Sequence, residues 1–131
     1  DGVTYHYTTT LEGVMQKEDP SNPEFVVDAR IKELYQKKDY GQYANKSGNL
    51  TVNFLTNNDI TGGNSGSPVI DAKGNLMGLN FDRTWESTMS DYMFDPNRCR
   101  NIVVDIRYVL WVMDKYSGAK HLVNEMVLDK E

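Results

Sequence analysis

Thr61-Gly62-Gly63-Asn64-Ser65-Gly66-Ser67-Pro68 decides how the rest of this chain is read. A serine that serves as a nucleophile needs a tight turn that exposes its hydroxyl and aims backbone N–H groups at the oxyanion formed during attack. Glycines on both sides of Ser65 permit such a backbone, because they tolerate positive φ and let a substrate carbonyl come close. The chain then runs through Val69-Ile70-Asp71, Lys73-Gly74-Asn75 and Leu76 to Phe81, which reads as strand, turn and strand. Ser65 is the better nucleophile candidate and Ser67 the weaker. Ser65 lies between Asn64 and Gly66, and its own N–H with that of Gly63 can form an oxyanion hole. A Gly-Asn-Ser-Gly run is also ordinary turn chemistry. The motif carries weight through its Ser-Gly-Ser-Pro ending and the hairpin behind it.

A serine hydroxyl is a weak nucleophile until a general base removes its proton, and that base needs a third group to orient it. The chain holds two histidines, His6 and His121. His6 sits in an alternating stretch that reads as a strand, and His121 follows Gly118-Ala119-Lys120 in what reads as a C-terminal helix. Neither has an acid nearby in a triad-like pattern, so both are read as structural or solvent-exposed. The serine loop and its hairpin resemble the nucleophile segment of chymotrypsin-like serine peptidases, whose base and acid come from chain before the serine, largely from the other barrel. The resemblance implies a mainly β chain with helices: the C-terminal barrel portion of a chymotrypsin-like double β-barrel plus a C-terminal helix. Such a chain carries half an active site. Asn64 stands where many trypsin-like enzymes have Asp, which argues against activation by a newly cut N-terminus pairing with that acid.

At 131 residues the chain can hold one domain with a modest core. We expect residues 1–131 to form a single domain, with the other barrel upstream. The first residue is Asp1 rather than Met, so the start is expected to be a processing or cloning boundary. No stretch of about 20 apolar residues and no signal-type apolar region occurs, so no membrane span is expected. A net charge of −5 argues against nucleic acid as a partner. The single cysteine, Cys99, has no internal disulfide partner and no metal-ligand company, and reads as a buried or half-buried thiol. Asn45-Lys46-Ser47 matches a glycosylation acceptor, a triplet common by chance.

Along the chain, residues 3–17 alternate Thr, Tyr and aliphatic side chains and predict one or two strands. Asp19 to Pro23 is a turn-rich break. The spacing of Val26, Ile31, Leu34 and Tyr35 predicts a helix from about Phe25 to Lys38. Lys37 to Gly48 reads as polar loop and Thr51 to Leu55 as a strand leading to the serine loop. A strand pair follows at about 68–81. Asp82 to Arg98 is polar but too aromatic for a plain linker. Asn101 to Asp105 reads as a short buried strand, and Ile106 to Tyr116 as a helix with Ile106, Val109, Leu110 and Met113 on one face.

The run from Asn58 to Tyr116 closely resembles the C-terminal part of the bacterial dipeptidyl-peptidase 7/11 family. The segments that carry the likeness are Asn58 to Val69, Gly78-Leu79-Asn80-Phe81-Asp82-Arg83-Thr84-Trp85-Glu86, and Arg100 to Leu110. Members are serine exopeptidases with a chymotrypsin-like double barrel and an inserted helical domain. They carry the catalytic His and Asp well upstream. The resemblance implies that Asp82, beside an upstream asparagine, supplies the anion for the substrate's α-ammonium, and that Arg83 faces the substrate's second residue. Arginine there goes with the dipeptidyl-peptidase 11 branch, which cuts after Asp or Glu; the dipeptidyl-peptidase 7 branch has glycine and prefers hydrophobic residues. A guanidinium fork matches a carboxylate in a bidentate way.

The alternative for Asp82-Arg83 is a solvated charge pair at a strand end. Trp85 either walls the pocket or fills the core. Asp91, Asp95 and Asp105 fit no metal-ligand spacing and read as a solvated loop and a strand-end cap. No metal and no cofactor is expected. Tyr108 and Trp111 read as packing. The resemblance further implies peptide substrates with a free N-terminus, a homodimeric parent and a bacterial periplasm or cell surface. The competing readings are hydrophobic specificity and a non-catalytic trypsin-like binding module.

A lone barrel exposes the face that meets its partner. The 131-residue chain by itself should therefore self-associate, and should hydrolyse no peptide because it lacks the base. A monomeric sedimentation profile at tens of micromolar, or hydrolysis that Ser65→Ala abolishes, would contradict these expectations.

Overall fold

The computed structural model describes residues 6–129. The elements in order are β1 (Thr8–Thr10), α1 (Leu11–Gln16), α2 (Ala29–Gln36), β2 (Thr51–Thr56), β3 (Pro68–Ile70), β4 (Leu76–Arg83), β5 (Asn101–Asp105), α3 (Ile106–Trp111) and α4 (Lys120–Val123). Short 3-10 turns lie at Pro23–Phe25, Gly41–Tyr43 and Trp85–Asp91, and a π turn at Val112–Tyr116. The result is a mainly antiparallel sheet with several helices. The chain divides into two compact units, one built on 53–106 with the residues before Thr9, the other on 9–52 with the residues after Ile106.

The unit that contains 53–106 carries most of a five-stranded sheet. The sheet's strand order is β1-β2-β5-β4-β3, and β2–β5, β5–β4 and β4–β3 each pair antiparallel. Ile102-Val103-Val104 is β-branched throughout, which suits a strand with neighbours on both sides. Val103 is fully buried. The sequence expectations of strands near 51–55, 68–81 and 101–105 are met by β2, by β3 with β4, and by β5.

Two irregularities shape β4. Gly78 lies opposite Asp105, and a Cβ added there would stand 2.2 Å from the Val104 carbonyl oxygen and 2.6 Å from Val103 Cγ1. Only glycine lets β4 approach β5 this closely. Further along, Asn80 pairs with Val103 while Asp82 pairs with Ile102, so Phe81 is an extra residue in the ladder. This is a β-bulge, which bends the strand and re-aims the side chains beyond it.

In the other unit, Leu11, Leu34, Tyr40, Tyr43, Leu50, Leu110, Trp111 and Val123 are buried. Trp111 Nε1 donates to the Asp39 carbonyl at 2.8 Å, the Tyr43 hydroxyl donates to Asp114 Oδ2 at 2.8 Å, and Lys115 pairs with Asp39 at 2.8 Å. Tyr108 stacks on Trp111 with ring centroids 5.8 Å apart, the packing role expected of both.

Several sequence expectations fail in this unit and at its borders. Of the stretch 3–17 expected as strand, 8–10 is strand, 3–5 lie outside the described residues, His6 is not in a strand, and 11–16 is helix. Thr10 caps that helix by accepting the Gly13 N–H, and Leu, Glu, Met and Gln are good helix formers. The 25–38 helix begins only at Ala29, because Asp28 Oδ1 accepts the Arg30 N–H at 2.7 Å and fixes the cap there. The polar 37–48 loop hides two buried tyrosines, whose hydroxyl-bearing rings supply core. The helix from Ile106 loosens after Trp111 into a π turn closed by the Ser117 N–H on the Val112 carbonyl. Leu110 and Trp111 are its buried residues, with Ile106, Val109 and Met113 only half-buried.

Gly78→Ala should destabilise the protein by about 2–3 kcal/mol, because the contact is with strand backbone and cannot be relieved by a rotamer change. A denaturant midpoint unchanged by the substitution would show that the two strands can separate at little cost.

Candidate functional site

The loop Thr61 to Ser67 is built from its own backbone and tied to β4 by Asn80. Asn64 Oδ1 accepts the Thr61 N–H at 2.8 Å, and the Asn64 and Ser67 N–H groups donate to the Thr61 and Asn64 carbonyls at 3.3 and 3.0 Å. Asn80, almost fully buried, then makes three bonds to the loop. Its carbonyl accepts the Gly66 N–H at 2.7 Å, its N–H donates to the Ser67 carbonyl at 2.9 Å, and its Nδ2 donates to the Asn64 carbonyl at 3.0 Å. Gly63 and Gly66 have φ of 93° and 87°, a region other residues enter only with strain.

This geometry leaves Ser65 exposed at the crest of the loop. Its hydroxyl donates to the Phe81 carbonyl at 3.3 Å, an acceptor that the bulge turns toward the loop. The Gly63 and Ser65 N–H groups have no acceptor among the described residues, whereas those of Asn64, Gly66 and Ser67 do. The two donors named from the sequence are thus the ones the turn leaves open. His6 and His121 are both exposed.

Ser65, Phe81, Asp82 and Arg83 line one cleft of about 200 Å³, together with Ile60 and Gly62. The sequence candidates Ser65, Asp82 and Arg83 are therefore brought together on one cleft, and beyond the bulge Asp82 and Arg83 resume regular pairing with Ile102 and Asn101. Asp82 is exposed and its Oδ1 accepts the Arg83 backbone N–H at 2.7 Å. Its other oxygen has no acceptor role among the described residues.

Arg83 is not a free cation. Its Nη1 and Nη2 donate to the two carboxylate oxygens of Asp91 at 2.7 and 2.6 Å, and Nη1 also donates to Ser90 Oγ at 3.0 Å. The Arg83 bonds hold the Asp91 carboxyl below its ordinary range, and the Asp91 carboxylate holds the guanidinium above its own. A depressed carboxyl stabilises the fold above its unfolded value of about 3.9. That contribution is lost as pH falls through the depressed value. Asp91 is exposed, as the sequence suggested for this loop, but it is ion-paired with Arg83. Asp95 is a local turn clamp, accepting the Asn97 N–H at 2.9 Å, and Asp105 is buried in β5. Among the described residues no group of three or more His, Cys, Asp or Glu could hold a metal ion. Cys99 is buried and its Sγ accepts the Asp95 N–H at 3.3 Å.

Trp85 neither walls the cleft nor fills a core, since it is 87 % exposed. It opens the 3-10 turn after β4, and Ser87 is the residue of that turn that points inward, donating to the Arg100 carbonyl and accepting the Arg100 N–H. Asn80, Ser90 and Asp91 are the site residues that sequence reasoning missed. Asn80 had a signal: it is polar at an inward position of an otherwise apolar strand, and a buried amide needs a partner. Asp91 had none, because eight residues across an irregular turn separate it from Arg83.

A family model described as Peptidase S46 matches residues 1–128. The chain is 60 % identical over 128 residues to dipeptidyl-peptidase 7 of Phocaeicola vulgatus, covering 98 % of this chain and 18 % of that protein. It is also 60 % identical over 130 residues to the Asp/Glu-specific dipeptidyl-peptidase of Capnocytophaga gingivalis, covering 99 % and 18 %. The crystal structure of Porphyromonas endodontalis DPP11 in complex with the dipeptide Arg-Asp superposes with a TM-score of 0.95 at 50 % identity, over all of this chain and 19 % of that one. The chain thus spans under a fifth of the length of these relatives. Overall identity is the same to a relative of either name, so it does not discriminate between them.

Asn80→Asp keeps the side chain's shape but sets a carboxylate oxygen against the Asn64 carbonyl. It should cost about 2 kcal/mol of stability and speed amide hydrogen exchange at Gly66. Unchanged exchange at Gly66 would mean that Asn80 does not hold the loop.

Proposed function

We propose, for a chain that belongs to the Peptidase S46 family, that it is the nucleophile-bearing C-terminal part of a serine-type dipeptidyl peptidase that cuts after an acidic second residue. The observation that carries this reading is the convergence of Ser65, Asp82 and Arg83 on one cleft. The relatives include Asp/Glu-specific dipeptidyl-peptidases and a DPP11 holding a dipeptide with an acidic second residue.

In this reading the substrate's α-ammonium pairs with Asp82, which fixes the distance from the free N-terminus to the bond that is cut. The side chain of the second residue meets Arg83. Ser65 Oγ attacks the carbonyl of that residue while an upstream histidine takes the hydroxyl proton. The Gly63 and Ser65 N–H groups stabilise the oxyanion; each such donor is worth about 3 kcal/mol of barrier in enzymes where it has been removed. Collapse of the tetrahedral intermediate breaks the C–N bond, with the histidine returning the proton to the leaving amine. Water then hydrolyses the acyl-enzyme by the reverse sequence and frees the dipeptide. The rest of the proposal follows the family resemblance: a chymotrypsin-like double barrel, upstream His and Asp, a helical domain outside this chain, a homodimer, and a periplasmic or cell-surface location. No helix among the described residues is long and apolar enough to cross a membrane.

A second reading, hydrophobic specificity, is favoured by the prior engagement of Arg83 by Asp91. The full-length enzyme should show a higher kcat/KM for a substrate with Asp at the second position than for one with Leu. Arg83→Gly should lower the Asp value by roughly tenfold to a hundredfold, a charge-pair loss discounted for solvent access. Ser65→Ala should lower both by about a millionfold. A Leu preference would sink the acidic reading and keep the peptidase; turnover of neither would favour a non-catalytic module.

A further inference from the structure

Arg83 offers five N–H donors arranged as two forks. The end-on fork, Nη1 with Nη2, is filled by the two oxygens of Asp91 at 2.7 and 2.6 Å, and the second Nη1 hydrogen goes to Ser90 at 3.0 Å. The side-on fork, Nε with the second Nη2 hydrogen, has no acceptor among the described residues. A substrate carboxylate entering the cleft therefore has two choices. It can displace Asp91 from the end-on fork, or it can take the side-on fork and share one cation with Asp91. In the first case it competes with a carboxylate tethered at short range. In the second, two anions crowd one guanidinium whose charge is already balanced, with Asp82 adjacent on the chain. Both routes weaken acidic binding.

We propose that Asp91 is a specificity-determining residue: an internal carboxylate that occupies the guanidinium of Arg83 and limits how strongly the site favours acidic second residues. This rests on the reading of Arg83 as the group that meets that residue. Asp91 is the more exposed member of the pair, with 47 % of its side chain accessible against 22 % for Arg83. Removing its charge therefore disturbs little packing. Ser90 remains to hold the guanidinium in place. The opposite role is equally concrete: if Asp91 only positioned Arg83, losing it would loosen the fork and weaken acidic binding. The two roles predict opposite signs.

The experiment is a kcat/KM comparison of the full-length enzyme and Asp91→Asn on paired dipeptide substrates with Asp or Leu at the second position, at low ionic strength. Asp91→Asn should raise the Asp/Leu ratio by about fivefold, the upper range for freeing one partner of an exposed ion pair. The gain should lie in a lower KM for the Asp substrate. A ratio that falls or does not change overturns the proposal. If the wild-type enzyme shows no acidic preference, Asp91→Asn must create one or the proposal fails. Arg83→Gly in the Asp91→Asn background separates the premise from the inference, because a preference that survives it does not come from Arg83 at all. Should Asp91→Asn lose both activities, Asp91→Ser, which keeps an oxygen near the guanidinium without charge, is read by the same criteria.

Discussion

The three hydrogen bonds from Asn80 to the serine loop are the constraint on which the site depends. A loop with two glycines at positive φ has many conformations open to it, and the bonds of Asn64 within the loop narrow them only in part. Asn80 selects one by holding the carbonyl of Asn64, the N–H of Gly66 and the carbonyl of Ser67 at once. The anchor is itself held at a buried position of β4, which approaches Val104 closely at Gly78. Each bond contributes on the order of 1 kcal/mol net. Their combined effect is less about stability than about which two N–H groups are left without acceptors.

The electrostatics of the cleft follow from its charges rather than from any one of them. Asp82, Arg83 and Asp91 together carry a net negative charge, so the cleft is not a simple anion trap. Asp82 turns one oxygen onto the Arg83 backbone and leaves the other open, while Arg83 turns its best fork onto Asp91. Under the proposed function, an acidic side chain that enters would find its place among groups that are already partly satisfied. Selectivity in such a site comes from differences between partly balanced interactions, which makes it sensitive to neighbours that never touch the ligand.

What the sequence made legible is whatever has a short period or a local motif. β2, β4 and β5 stand out by composition, the serine loop by its glycines, and Asp82-Arg83 by resemblance. The sequence missed what depends on one residue overriding a trend. Thr10 turns an alternating stretch into a helix by capping it, and Asp28 moves a helix start past Val26 and Val27. The bulge at Phe81 could not be read, since an extra residue in a strand leaves no mark on its alternation until a partner strand is aligned with it. The Arg83–Asp91 pair joins two ends of an irregular turn, where neither period 2 nor period 3.6 applies.

The bulge has a consequence for how this kind of chain diversifies. It divides β4 into a half that secures the loop, through Gly78 and Asn80, and a half that faces the cleft, through Asp82 and Arg83. The two halves meet at Phe81, whose carbonyl accepts the Ser65 hydroxyl, so diversification of the outer half is limited by what that shared residue tolerates.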